Sequence, residues 1–221
     1  MMQQRRWVLG ATMVGAMLAM AVPAGAQTVA TPDTIWFIGG TGGASAVQNI
    51  GGLYGIELGT RVTPKLDLFG DGYGITDTAT RRRIQTAESV AAIIGTTQGA
   101  AASATLTAPA GVFVGGLRYT LHESGNFRIF VQAEGGVARV TFQPAFILGG
   151  VDITNQLAQF GVTLGADLGG TTTKPAFGGG IGLAVRHGAW DIGAQVGIIS
   201  IKTPSQSSNV IQATATVAHW F

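Results

Sequence analysis

Residues 53–73 read LYGIELGTRVTPKLDLFGDGY. In the first half Tyr54, Ile56, Leu58, Thr60 and Val62 fall on one parity, with Glu57 and Arg61 on the other. Beyond Thr63-Pro64, Lys65, Asp67, Phe69, Asp71 and Tyr73 share a face opposite Leu66 and Leu68. A period of two is that of a β-strand, and Thr-Pro between two such runs is a tight turn. The stretch predicts a hairpin with one apolar face and one face carrying charge of both signs.

The same alternation extends over the chain. Segments of strand character lie at 34–43, 50–62, 65–75, 109–121, 127–140, 174–186, 189–201 and 210–221. Arg118, Arg128, Glu134, Arg186 and Asp191 each oppose an apolar face, and the charges of these strands are expected to keep to one parity. Short connections at 63–64, 122–126 and 187–188 alternate with longer ones at 44–49, 76–108, 141–173 and 202–209. Within 76–108, Ile84, Ala87, Ala91 and Ile94 have helical spacing and predict a short loop helix. DITNQLAQF (152–160) predicts a second.

Composition says which solvent each face meets. Residues 1–26 have the form of a secretory leader: Arg5-Arg6, an apolar run from Trp7 to Val22, and Ala24-Gly25-Ala26 as a small-x-small cleavage pattern. The chain has 13 basic and 11 acidic residues; two of the basic ones lie in the leader, which leaves eleven of each. That balance gives no reason to expect a nucleic-acid partner. An exported chain without cysteine has no disulfide scaffold. With charged residues at 11% and no uninterrupted apolar run of spanning length after residue 26, the remaining way to occupy a bilayer is a closed β-barrel.

The expected fold is therefore all-β: residues 27–221 as one eight-stranded antiparallel up-and-down transmembrane barrel in the outer membrane, with short periplasmic turns and longer extracellular loops. Eight strands leave an interior only wide enough for side chains. Glu57, Arg61, Lys65, Asp67, Asp71, Arg118, Arg128, Glu134, Arg186 and Asp191 are expected to fill it as an ion network. Tyr119, Phe127, Trp190 and Phe221, with Trp36, fit a periplasmic aromatic girdle, and Tyr54, Phe113 and Phe177 an outer one. Inward glycines at 178, 180, 182, 193 and 197 leave room for side chains from across the lumen. The run Arg81-Arg82-Arg83 is the exposed charge cluster of the loops, suited to an anionic surface such as lipopolysaccharide.

The segments YGIELGTRVTPKLDLFGDGYG, FGGGIGLAV and ATVAHWF together resemble the small bacterial outer-membrane barrels of the OmpA-transmembrane, OmpX and opacity-protein type. The resemblance implies that Phe221, with Val217 and Trp220, forms the terminal signal read by the barrel-assembly machinery. It implies outer-membrane lipid and lipopolysaccharide as surroundings, and a structural or surface-interaction role. A narrow channel for small solutes is the alternative. An enzyme is a third reading, because His122 and Ser124 in HESGN resemble the His-x-Ser of lipid A deacylases; that motif falls in an expected periplasmic turn, away from an outer-leaflet substrate. Three scattered histidines and no cysteine indicate neither a metal nor a cofactor.

The barrel reading predicts heat-modifiable electrophoresis: the unboiled chain migrates as a compact band and shifts on boiling. A single band at one position under both conditions contradicts a closed sheet.

Overall fold

The computed structural model describes residues 36–166, 168–202 and 207–221. The expected leader, the first two residues of the 34–43 strand and residues 203–206 of the 202–209 loop lie outside the described residues. Among the described residues there are ten strands: β1 (Trp36–Ala46), β2 (Ile50–Thr63), β3 (Leu66–Ile75), β4 (Ala102–Thr107), β5 (Ala110–Ser124), β6 (Phe127–Leu148), β7 (Val151–Asp152), β8 (Gly170–His187), β9 (Trp190–Lys202) and β10 (Ser207–Trp220). Helix α1 spans Arg81–Gln98, and a 3-10 helix spans Thr154–Phe160.

Eight of the strands form a closed antiparallel ring in the order β1, β2, β3, β5, β6, β8, β9, β10. It closes where β10 pairs with β1, from Phe37 opposite Trp220 to Ala46 opposite Ile211. The backbone N–H of Phe221 donates to the Trp36 carbonyl at 2.9 Å, so the ladder runs to the last residue. Closure leaves no unpaired edge in the ring, which is what a bilayer demands of a sheet.

The faces follow the parity of the sequence. Tyr54, Ile56 and Leu58 on β2, Leu117 on β5 and Ile192, Val196 and Ile198 on β9 are exposed, while Glu57, Asp67, Arg118, Arg128 and Asp191 are buried. This inverts the distribution of a water-soluble protein, and the continuous apolar exterior far exceeds the patches soluble monomers carry.

At the periplasmic end two hairpins turn through Gly125 (φ 58°) and Gly188 (φ 60°). A glycine at the first turn position supplies the positive φ that matches strand twist in a two-residue loop. The connection expected over 122–126 is shorter than that: β5 continues to Ser124, and only Gly125-Asn126 turn. A register shift between Thr120 and His122 admits one extra residue, Leu121, and a similar shift between Arg61 and Thr63 admits Val62. Both bulges sit at the ring's rim, where such insertions bend a strand without breaking the wall.

At the other end the strands overrun the expected boundaries. β6 is 22 residues long and projects beyond the ring, where β4 and β7 pair with it. β4 was not expected; its six residues, ASATLT, lack a strong apolar alternation. Together with α1 and the 3-10 helix they make a cap. Ala87, Ala91 and Ile94 of α1 join Leu106, Phe146 and Leu157 in one core, so the two long connections pack rather than trail as loops. Asp77 ties the stem of the first: its Oδ1 accepts the N–H of Ala79 and of Ala108, both at 2.9 Å.

Inward glycines do make room for rings, but from the adjacent strand rather than from across the lumen. Phe37 lies over its partner Gly59, Phe69 over Gly116 and Phe130 over Gly182. A Cβ on any of these glycines collides with the ring or the facing backbone. We predict that Gly182→Leu abolishes the compact electrophoretic form while Gly40→Leu, with open space at its Cβ, preserves it. Gly182→Leu with Phe130→Ala recovers part of the folded band.

Candidate functional site

Inside the ring, at its periplasmic end, the ionic side chains connect in sequence. Arg61 Nε donates to Asp67 Oδ1 at 3.0 Å, and Arg128 Nη1 to Asp67 Oδ2 at 2.9 Å. Arg128 Nη2 then reaches Asp191 Oδ2 at 2.8 Å, and Arg186 Nε reaches Asp191 Oδ1 at 2.8 Å. Each aspartate thus bridges two guanidiniums, using both carboxylate oxygens. Arg118 holds Glu57 with two parallel bonds, Nη1 to Oε1 at 2.9 Å and Nη2 to Oε2, and donates Nε and Nη2 to Gln132 Oε1 at 3.2 and 3.0 Å. Paired and hydrogen-bonded in this way, the charges meet the condition for burial.

The aromatic rings are part of the same layer. Trp220 is almost wholly buried, with the guanidinium carbons of Arg186, Arg61 and Arg128 at 4.3, 4.8 and 5.8 Å from its ring. Arg118 lies 4.7 Å from the Phe130 ring and 5.0 Å from Phe69, and Phe37 packs against Trp220 with ring centroids 4.7 Å apart and planes tilted by 41°. A desolvated cation over an aromatic face contributes about 2 kcal/mol. Counting rings and ions together, every strand of the ring places at least one side chain in this layer. The void left between Phe37, Glu57, Arg118, Arg128, Asp191 and Trp220 measures about 20 Å³, room for a single water.

Three of the ten expected network residues stand apart. Lys65 is exposed: the chain leaves the ladder at Thr63 and re-enters at Leu66, so Lys65 belongs to the turn and its ammonium stays in water. Asp71 and Glu134 point into the lumen on the cap side of the Arg118–Glu57 pair, but no ion pair reaches them among the described contacts. Nearby, Gln212 Nε2 donates to the Tyr73 hydroxyl at 3.3 Å.

Contrary to the expectation from the sequence, the ion network does not fill the lumen. Above Tyr73 the interior turns apolar: Leu53, Ile75, Val112, Val140, Ile199 and Val210 are buried and continuous with the core of the cap. The interior is therefore two layers, ionic toward the periplasm and hydrocarbon toward the outside. The signal was present in the inward parity of Ala110, Val112 and Val114 and of Ile199 and Ile201, masked by the apolar outer face of the same strands.

The triple arginine is divided by its helix. Arg81 and Arg82 are exposed, whereas Arg83 is buried with its guanidinium 4.5 Å from the Phe142 ring, and so presents nothing to an anionic surface. In the cap, Asp152 accepts the Thr154 N–H at 2.8 Å, and the Thr154 hydrogen bonds hold its carboxyl below the usual range. His122 and Ser124 are exposed beside the periplasmic turn, opposite Ile129 and Phe127.

The aromatic residues expected in the two girdles face outward. Trp36, Tyr119, Phe127, Trp190 and Phe221 ring the periplasmic end and Tyr54, Phe113 and Phe177 the other. His219 lies between Trp190 and Phe221, with centroids 4.7 and 4.6 Å away. A closed ring of eight strands, two aromatic girdles, apolar outside and ionic within, is a membrane wall. The chain has the fold of an outer-membrane β-barrel. Neisserial surface protein A has a similar fold, with a TM-score of 0.51 at 11% identity over 84% of this chain and 96% of that one. The N-terminal barrel domain of Pseudomonas aeruginosa OprF aligns with a TM-score of 0.45 at 13% identity, over 85% and 98% of the two chains. Ail of Yersinia pestis aligns at 0.42 and 9%, over 85% and 96%. No protein-family model matches the chain, and no curated protein matches it in sequence.

Removing one member of a buried ion pair strands the other. Arg118→Met is expected to destabilise the barrel by roughly 3–5 kcal/mol in urea unfolding from lipid vesicles. Arg118→Met combined with Glu57→Gln recovers most of that loss, because Glu57 is then no longer a buried charge without its partner. Equal destabilisation by the single and double variants overturns the pairing as the source of stability.

Proposed function

We propose that this barrel is a structural and surface-interaction protein of the outer membrane, with an occluded lumen and any recognition carried by its cap. One observation carries the reading: two seals of unlike chemistry lie in series. The ionic layer draws side chains from all eight ring strands and leaves about 20 Å³. The apolar layer beyond it merges with α1, β4 and the 3-10 helix. A hydrated ion crossing the lumen has to break the first and then shed water in the second.

In this reading the surroundings do the rest. Outer-membrane lipid and lipopolysaccharide wet the wall, and the barrel-assembly machinery reads the outward Phe221 and Val217 of the terminal strand. Trp220 of the same strand is committed to the lumen instead. The role is non-catalytic: His122 and Ser124 stand at the periplasmic rim, on the far side of the wall from the outer leaflet.

Planar-bilayer recording tests the occlusion. The purified barrel inserts without steady unitary conductance, whereas stable single-channel currents overturn the reading in favour of the narrow channel. Loss of lipid deacylation activity on changing His122 or Ser124 supports the enzyme instead.

A further inference from the structure

Two charges in the ring depart from the inward rule. Arg139 on β6 shares its parity with Phe127, Val131 and Val137, faces the exterior and is exposed. Lys202, the last residue of β9, likewise follows Val196 and Ile198 on the outward face. Their heights agree. Arg139 lies twelve residues beyond the girdle residue Phe127, and Lys202 twelve beyond the girdle residue Trp190. At about 3.4 Å per residue and a tilt of about 40°, both stand roughly 30 Å above the periplasmic girdle, past an apolar band of about 25 Å.

They are also neighbours. β6, β8 and β9 are successive in the ring, and Lys202 falls level with Pro175, two residues along β8 from the Arg139 partner Thr173, so the two backbones are about 12 Å apart. Between them β8 exposes Thr173, directly opposite Arg139, and Phe177, whose ring the Lys202 ammonium overlies at 6.0 Å. On its other side Arg139 faces Gly111, which has no side chain to cover it. Beyond Arg139 the pair of hydroxyls Thr141 and Thr171, 3.0 Å apart, continues the polar surface. No carboxylate pairs with either cation among the described contacts.

We propose that Arg139 and Lys202 form a binding site for the phosphorylated headgroup of an outer-leaflet lipid, seated against Thr173 and Phe177. The acyl chains of such a lipid lie along the apolar wall beneath Val137 and Ile198, and its phosphates meet the cations at the boundary where the hydrocarbon ends. An outward arginine is costly deep in the bilayer, but near the interface the cost almost vanishes. Each cation there adds attraction to anionic lipid. The site rests on the outer-membrane placement, and it is independent of whether the lumen conducts, because it uses only the exterior.

The test is native mass spectrometry of the full chain in zwitterionic detergent, titrated with bis-phosphorylated lipid A and with the same lipid lacking its phosphates. The phosphorylated lipid is retained at least roughly tenfold better, a comparison that requires no variant. Arg139→Gln with Lys202→Gln, checked for heat-modifiable migration, brings the phosphorylated lipid down to the level of the phosphate-free one. Lys65→Gln, in the turn at the opposite end of the ring, leaves retention at the parental level. Equal retention of the two lipids by the parent, or unchanged retention by the folded Arg139/Lys202 variant, overturns the site. Displacement of the lipid by an equal concentration of inorganic phosphate overturns the assignment to a lipid headgroup.

Discussion

Hydrocarbon accepts no uncompensated charge, and this chain meets that constraint by hiding its ions inside the ring in a layer to which all eight strands contribute. The consequence is mutual dependence. Asp67 and Asp191 each hold two guanidiniums drawn from different strands, so the ladder and the ion chain enforce the same closed geometry. Trp220 completes the layer from the last strand, beneath three arginines. The strand that closes the ring therefore also completes the interior, and the exterior is left free to be wholly apolar between its girdles.

The lumen does not continue in one chemistry. Paired ions tolerate burial only where partners are within hydrogen-bonding reach, and beyond Asp71 and Glu134 no further arginine is available on the inward faces. From there the strands turn to Val112, Val140, Ile199 and Val210. An apolar interior open to water would be unstable, and the cap supplies what it lacks. α1 and β4 bury Ala87, Ala91, Ile94 and Leu106 in the same core, so the extracellular segments are an extension of the barrel's packing rather than appendages.

How much of this was legible depended on how local each signal is. The ring strands of β2, β3, β5 and β9 could be read from parity, because charge on one face and apolar residues on the other is a property of consecutive residues. Helix α1 could be read for the same reason, from the spacing of Ile84, Ala87, Ala91 and Ile94. β4 could not: ASATLT becomes a strand because the overrunning edge of β6 offers it hydrogen bonds. Lys65 was misplaced by one turn, since the parity of 65–73 is continuous while the ladder begins only at Leu66. Arg139 was passed over because an outward charge is tolerable at the rim, and height above the girdle is not visible in a strand taken alone.

The sequence by itself determined which face of each strand meets lipid and which meets the lumen, because a period of two and the cost of charge in hydrocarbon are both local matters. It also determined that the sheet must close, since an apolar exterior without spanning helices has no other stable form in a bilayer. Only the tertiary structure decided which ions pair, that Trp220 lies among three arginines, where the ionic layer gives way to an apolar one, and that the long connections fold into a cap. Those outcomes depend on register and height around the ring, which bring residues as distant as Glu57 and Arg118, or Arg139 and Lys202, to a common level. Such levels are set by how eight strands align with one another, and no single strand carries that information.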